Sequence, residues 1–164
     1  MKKLLIGLLS LVIVLTMSSC GILNAIMGAK EKTFEKAGLT ITLTESFYER
    51  DYVSFTAVYE SNDIAVFTLK EESSLFASYD KNMTLSKYAD LVVSANSLED
   101  DFEKEDGLYL TTYEREANGK EMTYYAFVFE GEDAFWLVNI ACESKNAEKL
   151  EDTIMSYAKS IVVE

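Results

Sequence analysis

The chain has 164 residues, 28 of them acidic and 15 basic, which gives a formal net charge of −13 at pH 7. Such a charge repels phosphate backbones, so we expect no nucleic-acid partner. The sequence also contains no histidine, which excludes histidine general bases, nucleophile pairs that depend on histidine and nearly all zinc sites. The length suits one ordinary domain.

The first residues have the layout of a secretory signal peptide. Lys2 and Lys3 precede an apolar run of about 14 residues, Leu4 to Met17. That run is shorter than the roughly 20 residues that a membrane-spanning helix needs. It ends in Met17-Ser18-Ser19-Cys20, which resembles the lipobox of bacterial lipoproteins: an aliphatic residue, two small residues and a cysteine.

The lipobox resemblance implies cleavage after Ser19, so that residues 1–19 are the signal peptide and Cys20 is the first mature residue. It further implies attachment of a diacylglyceryl lipid to the Cys20 sulfur and, often, acylation of the new amino terminus by a fatty acid such as palmitate. We therefore expect a lipoprotein held to the extracytoplasmic face of a bacterial cell membrane, since a two-chain lipid suffices for stable anchoring. An ordinary secretory cleavage site nearby and an uncleaved membrane anchor remain as alternatives.

Residues 20–37 are interpreted as a tether, and residues 38–164 as a single globular domain. Within the tether, apolar residues at helical spacing predict a short amphipathic turn; they are Ile22, Leu23, Ile26 and Met27. From residue 39 the period changes to two, because leucine and isoleucine alternate with threonine through residue 44. This alternation predicts a half-buried strand.

Two further strands and a helix follow. We expect strands at residues 55–60 and 64–70, joined by a turn at Ser61-Asn62-Asp63. Thr84 is a candidate N-cap for a helix whose apolar residues recur every three or four positions; these are Leu85, Tyr88, Val92 and Ala95. Residues 99–107, EDDFEKEDG, are interpreted as an acidic connector between that helix and the next strand.

Three successive strands are predicted in the second half of the chain, at residues 108–115, 121–130 and 134–143. Asn118-Gly119, between the first two, is the strongest hairpin signal in the sequence, since both residues tolerate positive φ. The last two strands are apolar at successive positions, which predicts central strands covered on both faces. A helix is expected over residues 146–159, and residues 160–163 are expected to close the sheet as a short strand.

This order of elements predicts an α+β domain with a single antiparallel or mixed sheet of about six strands flanked by helices. Three segments resemble bacterial secreted domains with the PsbP-like fold: AVFTLKEESSLF, MTLSKYADLV and, most specifically, YYAFVFEGEDAFWLVNIAC from Tyr124 to Cys142. The resemblance covers roughly residues 35–164. It implies an α/β/α sandwich and a binding or accessory role rather than an enzymatic one, and it carries over no catalytic motif and no cofactor.

Two features have metal or redox alternatives. The acidic segment 99–107 offers the carboxylate oxygens that calcium prefers, but Gly107 stands one place late for a calcium loop and position 112 is threonine. A solvated loop is therefore the expected interpretation. Cys142 lies in an apolar strand with no histidine or second cysteine beside it, so we expect a buried, inert thiol.

A dense set of aromatic residues in the second half could line a ligand groove or fill the core. Alternate residues of a strand face opposite sides of a sheet, so core packing is the expected use of most of them. Tyrosine and tryptophan suit half-exposed positions, and Tyr125 or Trp136 are the candidates for the edge of a pocket. The set is Tyr109, Tyr113, Tyr124, Tyr125, Phe127, Phe129, Phe135 and Trp136.

The sequence favours a non-enzymatic, membrane-anchored extracytoplasmic lipoprotein that binds a protein partner or a small ligand. In this interpretation the protein uses no cofactor or metal, and its only assigned site is lipid attachment at Cys20. The alternative is a carboxylate-dependent hydrolase of the cell envelope, since paired acids can cleave glycosidic bonds without histidine. No pair among the 28 acidic residues stands out as catalytic.

Overall fold

The computed structural model describes residues 30–78 and 80–164. The predicted signal peptide, Cys20 and residues 21–29 of the predicted tether lie outside the described residues. The strands are β1 Glu31–Lys36, β2 Leu39–Thr44, β3 Tyr48–Arg50, β4 Ala57–Glu60, β5 Ile64–Glu72, β6 Glu103–Glu105, β7 Leu108–Ala117, β8 Lys120–Glu130, β9 Ala134–Glu143 and β10 Val162–Val163. The helices are α1 Leu85–Asn96, α2 Ala147–Lys159 and the short 3-10 helices Ser73–Phe76 and Ser144–Asn146. None of these described helices is long and apolar enough to cross a membrane.

Seven strands form the main sheet, which is antiparallel and has the order β3-β4-β5-β9-β8-β7-β6. Its long strands pair directly, β5 with β9, β9 with β8 and β8 with β7. Asn118 and Gly119 turn β7 into β8 with φ of 53° and 75°, as a tight hairpin requires. At the β4–β5 turn, the Ser61 amide donates to the Ile64 carbonyl oxygen at 2.9 Å. Both predicted hairpins are confirmed.

The other three strands form a separate sheet in the order β1-β2-β10, so the prediction of a single sheet of about six strands is wrong. β10 pairs antiparallel with β2 and does not close the main sheet as predicted. The Glu164 amide donates to the Gly38 carbonyl oxygen at 2.9 Å, and the Thr42 amide donates to Ser160 Oγ at 3.0 Å. β2 has one fully buried face, and it buries that face by packing against the main sheet rather than by joining an edge.

Strand β1 lies within the segment interpreted as a tether. Four of its six residues are exposed, and Phe34 is its one buried position. The Phe34 ring lies 4.8 Å from the Tyr59 ring, measured between centroids. This contact joins β1 to the core of the domain.

One face of the main sheet packs against the three-stranded sheet and α2, and the main core lies between them. Trp136, Tyr59 and Phe127 are among its largest fully buried side chains. Tyr59 Oη and Trp136 Nε1 are buried there without a hydrogen-bond partner among the described residues. Each such polar atom costs free energy, so the packing around these two rings must offset that cost.

The opposite face of the main sheet is covered at one end only, by the 3-10 helix Ser73–Phe76 and by α1. The second, smaller core lies there and contains Phe76, Tyr88, Ala89, Val92, Val128 and Phe135. Thr84 caps α1 as predicted, accepting a hydrogen bond from the Lys87 amide at 3.4 Å. The prediction that β8 and β9 are covered on both faces is correct at this end of the sheet and wrong at the other.

Strand β6 forms part of the segment interpreted as an acidic connector, so that interpretation is wrong for Glu103–Glu105. Asp106 and Gly107 turn β6 into β7 with φ of 50° and 86°. The sheet pairs β6 through its main chain, Glu103 opposite Leu110 and Glu105 opposite Leu108. Charged side chains at an exposed edge do not prevent main-chain hydrogen bonding. They do hinder pairing of this edge strand with another chain.

Candidate binding groove on the open half of the main sheet

The half of the main sheet that α1 leaves uncovered contains a groove of about 600 Å³, which we call the sheet groove. Its volume lies within the range of small-molecule sites. A smaller depression of about 350 Å³ continues toward the Ser61 and Asn118 turns and shares Phe67 and Tyr124 with the sheet groove. The sheet groove is lined by Phe55, Phe67, Leu69, Glu71, Leu91, Val92, Ala95, Asn96, Tyr113, Arg115, Tyr124, Leu137 and Asn139.

Two pairs of aromatic rings line the sheet groove. Phe67 of β5 lies 5.2 Å from Phe55, which precedes β4. Tyr113 and Tyr124 stack at 5.0 Å with an angle of 3° between ring planes. These tyrosines are directly opposite each other on β7 and β8, so their side chains leave the same face of the sheet.

Asn139 provides a polar group within this apolar surface. It lies in β9 opposite Phe67 on one side and Ala126 on the other. The Tyr113 hydroxyl donates to Asn139 Oδ1 at 3.0 Å, and the Nδ2 group has no hydrogen-bond partner among residues 30–78 and 80–164. Burial raises the pKa of the Tyr113 hydroxyl, so it stays protonated and able to donate.

Arg115 supplies the positive charge of the sheet groove. One guanidinium nitrogen donates to the Asn96 carbonyl oxygen, at the end of α1, at 2.6 Å. The guanidinium also lies 5.0 Å from the centroid of the Tyr113 ring. Arg115 forms no ion pair with any described residue, whereas the other arginine in the sequence, Arg50, pairs with Glu60 at 3.3 Å.

Glu71 is the one carboxylate among the residues that line the sheet groove. It accepts a hydrogen bond from the Tyr88 hydroxyl at 2.6 Å. Burial, together with this carboxylate, raises the pKa of Tyr88, which keeps the hydroxyl protonated as a donor. One oxygen of Glu71 is therefore committed to holding α1 on the sheet.

The aromatic residues identified in the sequence lie on both faces of the main sheet. Tyr113 and Tyr124 line the sheet groove, but the two candidates for the pocket edge do not, because Tyr125 is 6% exposed and Trp136 0% exposed in the main core. That part of the prediction is wrong. Tyr124 and Tyr125 are neighbours in a strand and so face opposite sides, and the sequence does not say which side is open.

Sequence reasoning missed three of the residues that give the sheet groove its chemistry: Phe67, Arg115 and Asn139. Asn139 carried a usable signal, since it is the only amide side chain in the apolar strand AFWLVNIAC. Buried polar side chains need hydrogen-bond partners, so an amide in a central strand indicates a polar neighbour or an opening to solvent. Phe67 and Arg115 carried no signal of this kind.

The other candidate sites have simpler surroundings. Within the described residues, no group of three or more Cys, Asp and Glu side chains is placed to hold a metal ion. In the acidic segment, Asp106 pairs with Lys159 at 2.8 Å. Cys142 is 0% exposed, and burial raises the pKa of its thiol, which disfavours the reactive thiolate.

No family model and no curated protein sequence matches this chain. Among solved structures it is similar to cyanobacterial PsbP (CyanoP) from Synechocystis, with a TM-score of 0.52 and 12% identity over 90% of this chain and 99% of that one. A crystal structure from Bacteroides thetaiotaomicron has a TM-score of 0.52 and 10% identity over 84% of this chain, which spans only 49% of that one. LpqN, involved in cell envelope biogenesis of Mycobacterium tuberculosis, has a TM-score of 0.46 and 8% identity over 88% and 96% of the two chains. At these identities the first two similarities show the fold alone: the chain has a PsbP-like α+β fold. Within residues 30–78 and 80–164 this fold contains two antiparallel sheets and two α-helices.

Proposed function

We propose that this chain is a lipid-anchored bacterial lipoprotein that acts outside the cytoplasm by binding rather than by catalysis, and that the sheet groove is its binding site. The observation that carries the proposal is the open half of the main sheet, where aromatic residues line a groove of about 600 Å³. Leaving apolar surface in water costs roughly 25 cal/mol for each Å². A domain under selection for stability alone would cover this face, and an exposed apolar groove commonly marks a binding site.

A hydrolase of the cell envelope that depends on carboxylates is supported less well. Such an enzyme needs two carboxyl groups facing each other across the scissile bond. The lining of the sheet groove supplies only Glu71, and one of its oxygens already accepts the Tyr88 hydroxyl.

The anchor is supported by the lipobox resemblance at Met17-Ser18-Ser19-Cys20. Growing cells with an alkyne fatty acid and attaching a fluorophore to the protein tests it. We expect label on the wild-type protein and on Cys142→Ala, the matched control that removes the other cysteine, and none on Cys20→Ala. Equal label on Cys20→Ala would contradict the anchor.

The binding site is tested by placing a photo-crosslinking amino acid at Phe67, in the sheet groove, and irradiating intact cells. The intact mass of the protein then reports either a small molecule or a second protein at that position. Lys149, an exposed residue of α2, is the control position, because it lies outside the sheet groove. We expect a reproducible adduct at Phe67 and none at Lys149; no adduct at either position contradicts the proposal.

A further inference from the structure

We infer that the sheet groove binds a planar aromatic molecule carrying one anionic group, and that Arg115 binds the anion. This inference rests on the proposed binding function and names the chemical class of the ligand. Three features of the described residues support it: an arginine without a carboxylate partner, two pairs of aromatic rings in the same lining, and uncommitted hydrogen-bond donors.

The charge of the ligand is argued from Arg115. In a sequence with 28 acidic residues, a guanidinium on the surface of the sheet would readily find a carboxylate, as Arg50 does with Glu60. Arg115 has none among the described residues, and it is held in place by the Asn96 carbonyl oxygen and the Tyr113 ring. A guanidinium has five N–H donors in a planar fork, so most of them remain free for a carboxylate or a similar anion.

The role of Arg115 in holding α1 does not account for this arrangement by itself. A cation near the C-terminal carbonyls of a helix is stabilising, and the contact with Asn96 serves that purpose. That contact occupies one guanidinium nitrogen. The position beside Tyr113 also turns the guanidinium toward the sheet groove, whose lining includes Arg115.

The shape of the ligand is argued from the rings. Phe67 and Tyr124 belong to strands on either side of β9, and each is paired with a second ring, Phe55 and Tyr113. A flat ring entering between Phe67 and Tyr124 stacks favourably on such surfaces. Asn139 lies between them, and its Nδ2 group offers a donor to the ligand.

A cationic ligand fits these residues less well, although the net charge of −13 attracts cations at long range. Glu71 is the one carboxylate of the lining, and it already accepts the Tyr88 hydroxyl. The Tyr113 ring already has the Arg115 guanidinium beside it. The local donors therefore oppose the overall charge, and this opposition makes the inference testable.

Three indoles that differ in charge test it: indole-3-acetate is an anion, indole-3-acetamide is neutral and tryptamine is a cation. Isothermal titration calorimetry is done on the full lipidated chain in phosphatidylcholine nanodiscs, with empty nanodiscs as the blank. We expect indole-3-acetate to bind at least about tenfold more tightly than the other two, since a charge-assisted contact to an arginine is worth that much.

Variants of Arg115 and Tyr124 test which residues cause the preference for the anion and the stacking of the ring. We expect Arg115→Gln to abolish the preference for the anion over the amide, and Arg50→Gln, the matched control, to leave both affinities within about twofold. Tyr124→Ala should weaken all three indoles by about three- to tenfold through lost stacking. The ratio of the two affinities in one sample is unaffected by partial unfolding, and Arg115→Lys, which keeps the charge without the fork, should retain part of the preference.

Three outcomes would overturn the inference. These are tighter binding of tryptamine or the amide, an unchanged anion preference in Arg115→Gln, and no binding of any indole. Each of them leaves the proposed binding function standing if the photo-crosslinker at Phe67 still captures a molecule in cells. Absence of that adduct, in contrast, removes the binding function itself.

Discussion

Trp136 and Tyr124 are aromatic residues of neighbouring strands with different surroundings. Trp136 is 0% exposed and belongs to the main core. Tyr124 is partly exposed, and its ring stacks on that of Tyr113. The same kind of substitution at the two positions therefore measures how differently the two faces of the main sheet contribute to stability.

We predict that Trp136→Ala lowers the free energy of unfolding by about 3–5 kcal/mol, because it leaves a cavity in the core. Tyr124→Ala should lower it by only about 1 kcal/mol, because the sheet groove is already open to solvent. Urea denaturation with unchanged slopes measures both values. Equal losses would mean that Tyr124 is a core residue and that the sheet groove is closed in solution.

Glu143 lies between two lysines at the end of β9. Lys145 Nζ is 2.5 Å from Glu143 Oε2, and Lys120 pairs with the other carboxylate oxygen. These hydrogen bonds, Lys120 first, hold the pKa of Glu143 at about 2, below its ordinary value of 4.5. The folded state therefore favours the ionised form, and this contribution to stability is present above pH 4.5 and is lost as the pH falls toward 2.

We predict that Glu143→Gln destabilises the protein at neutral pH and that the difference from wild type disappears toward about pH 2. Urea denaturation at a series of pH values measures this difference. Glu121→Gln is the control, because Glu121 is exposed and forms no ion pair with a described residue. A difference that persists unchanged at low pH would show that Glu143 acts through packing rather than through its charge.

At the scale of elements, the residue that caps the C-terminal end of α1 has a strained backbone. Ser97 has φ of 51° and ψ of 47°, the left-handed conformation that glycine adopts without a steric cost. We predict that Ser97→Gly stabilises the protein by about 0.5–1 kcal/mol. Ser94→Gly, within the same helix, should instead destabilise it by about 0.5 kcal/mol, because glycine has the lower helix propensity. Thermal denaturation compares the two variants, and a loss of stability in both would contradict the assigned helix end.

The sheet groove exists because α1 is shorter than the strands on which it packs. α1 spans only Leu85–Asn96 and packs on the end of the sheet that contains Val128 and Phe135. A helix of this size is about 18 Å long, whereas β8 and β9 extend well beyond it in register with each other. The uncovered remainder carries Tyr113, Tyr124 and Asn139.

At the scale of the whole molecule, the C-terminus connects the two sheets. Glu164 donates its amide to Gly38 beside β2, and its main chain also lies against Gly131, in the turn between β8 and β9. A Cβ atom at Gly131 would collide with the Glu164 carbonyl oxygen. Only glycine allows this close approach.

We predict that Gly131→Ala displaces the C-terminus and speeds hydrogen exchange at the Glu164 amide and in β10 by about tenfold or more, since overpacking costs about 1–3 kcal/mol. Gly119→Ala is the matched control. Gly119 has φ of 75° but has nothing within 4 Å of an added Cβ. It lies in the β7–β8 turn, at the other end of β8 from Gly131, so its substitution strains a distant turn and leaves those amides protected. Unchanged exchange in Gly131→Ala would contradict the contact between the two sheets.

The features that the sequence by itself determined are local ones. The alternation in β2, the Asn118-Gly119 hairpin, the Thr84 cap and the long apolar strands all follow from neighbouring residues, because period and turn chemistry depend on nearby backbone. The PsbP-like fold was implied by the resemblance of three segments, most specifically Tyr124 to Cys142, and it is confirmed by the similarity to CyanoP. Lipid attachment at Cys20 stays a prediction from the lipobox residues.

Only the tertiary structure decided how the strands divide into two sheets and which face stays open. A period of two shows that Tyr124 and Tyr125 face opposite sides, but the side that α1 and the three-stranded sheet cover depends on packing between distant segments. The sheet groove likewise joins Tyr113 to Asn139, which is 26 positions away. The physical reason is that burial is a property of the assembled layers, whereas periodicity is a property of one strand.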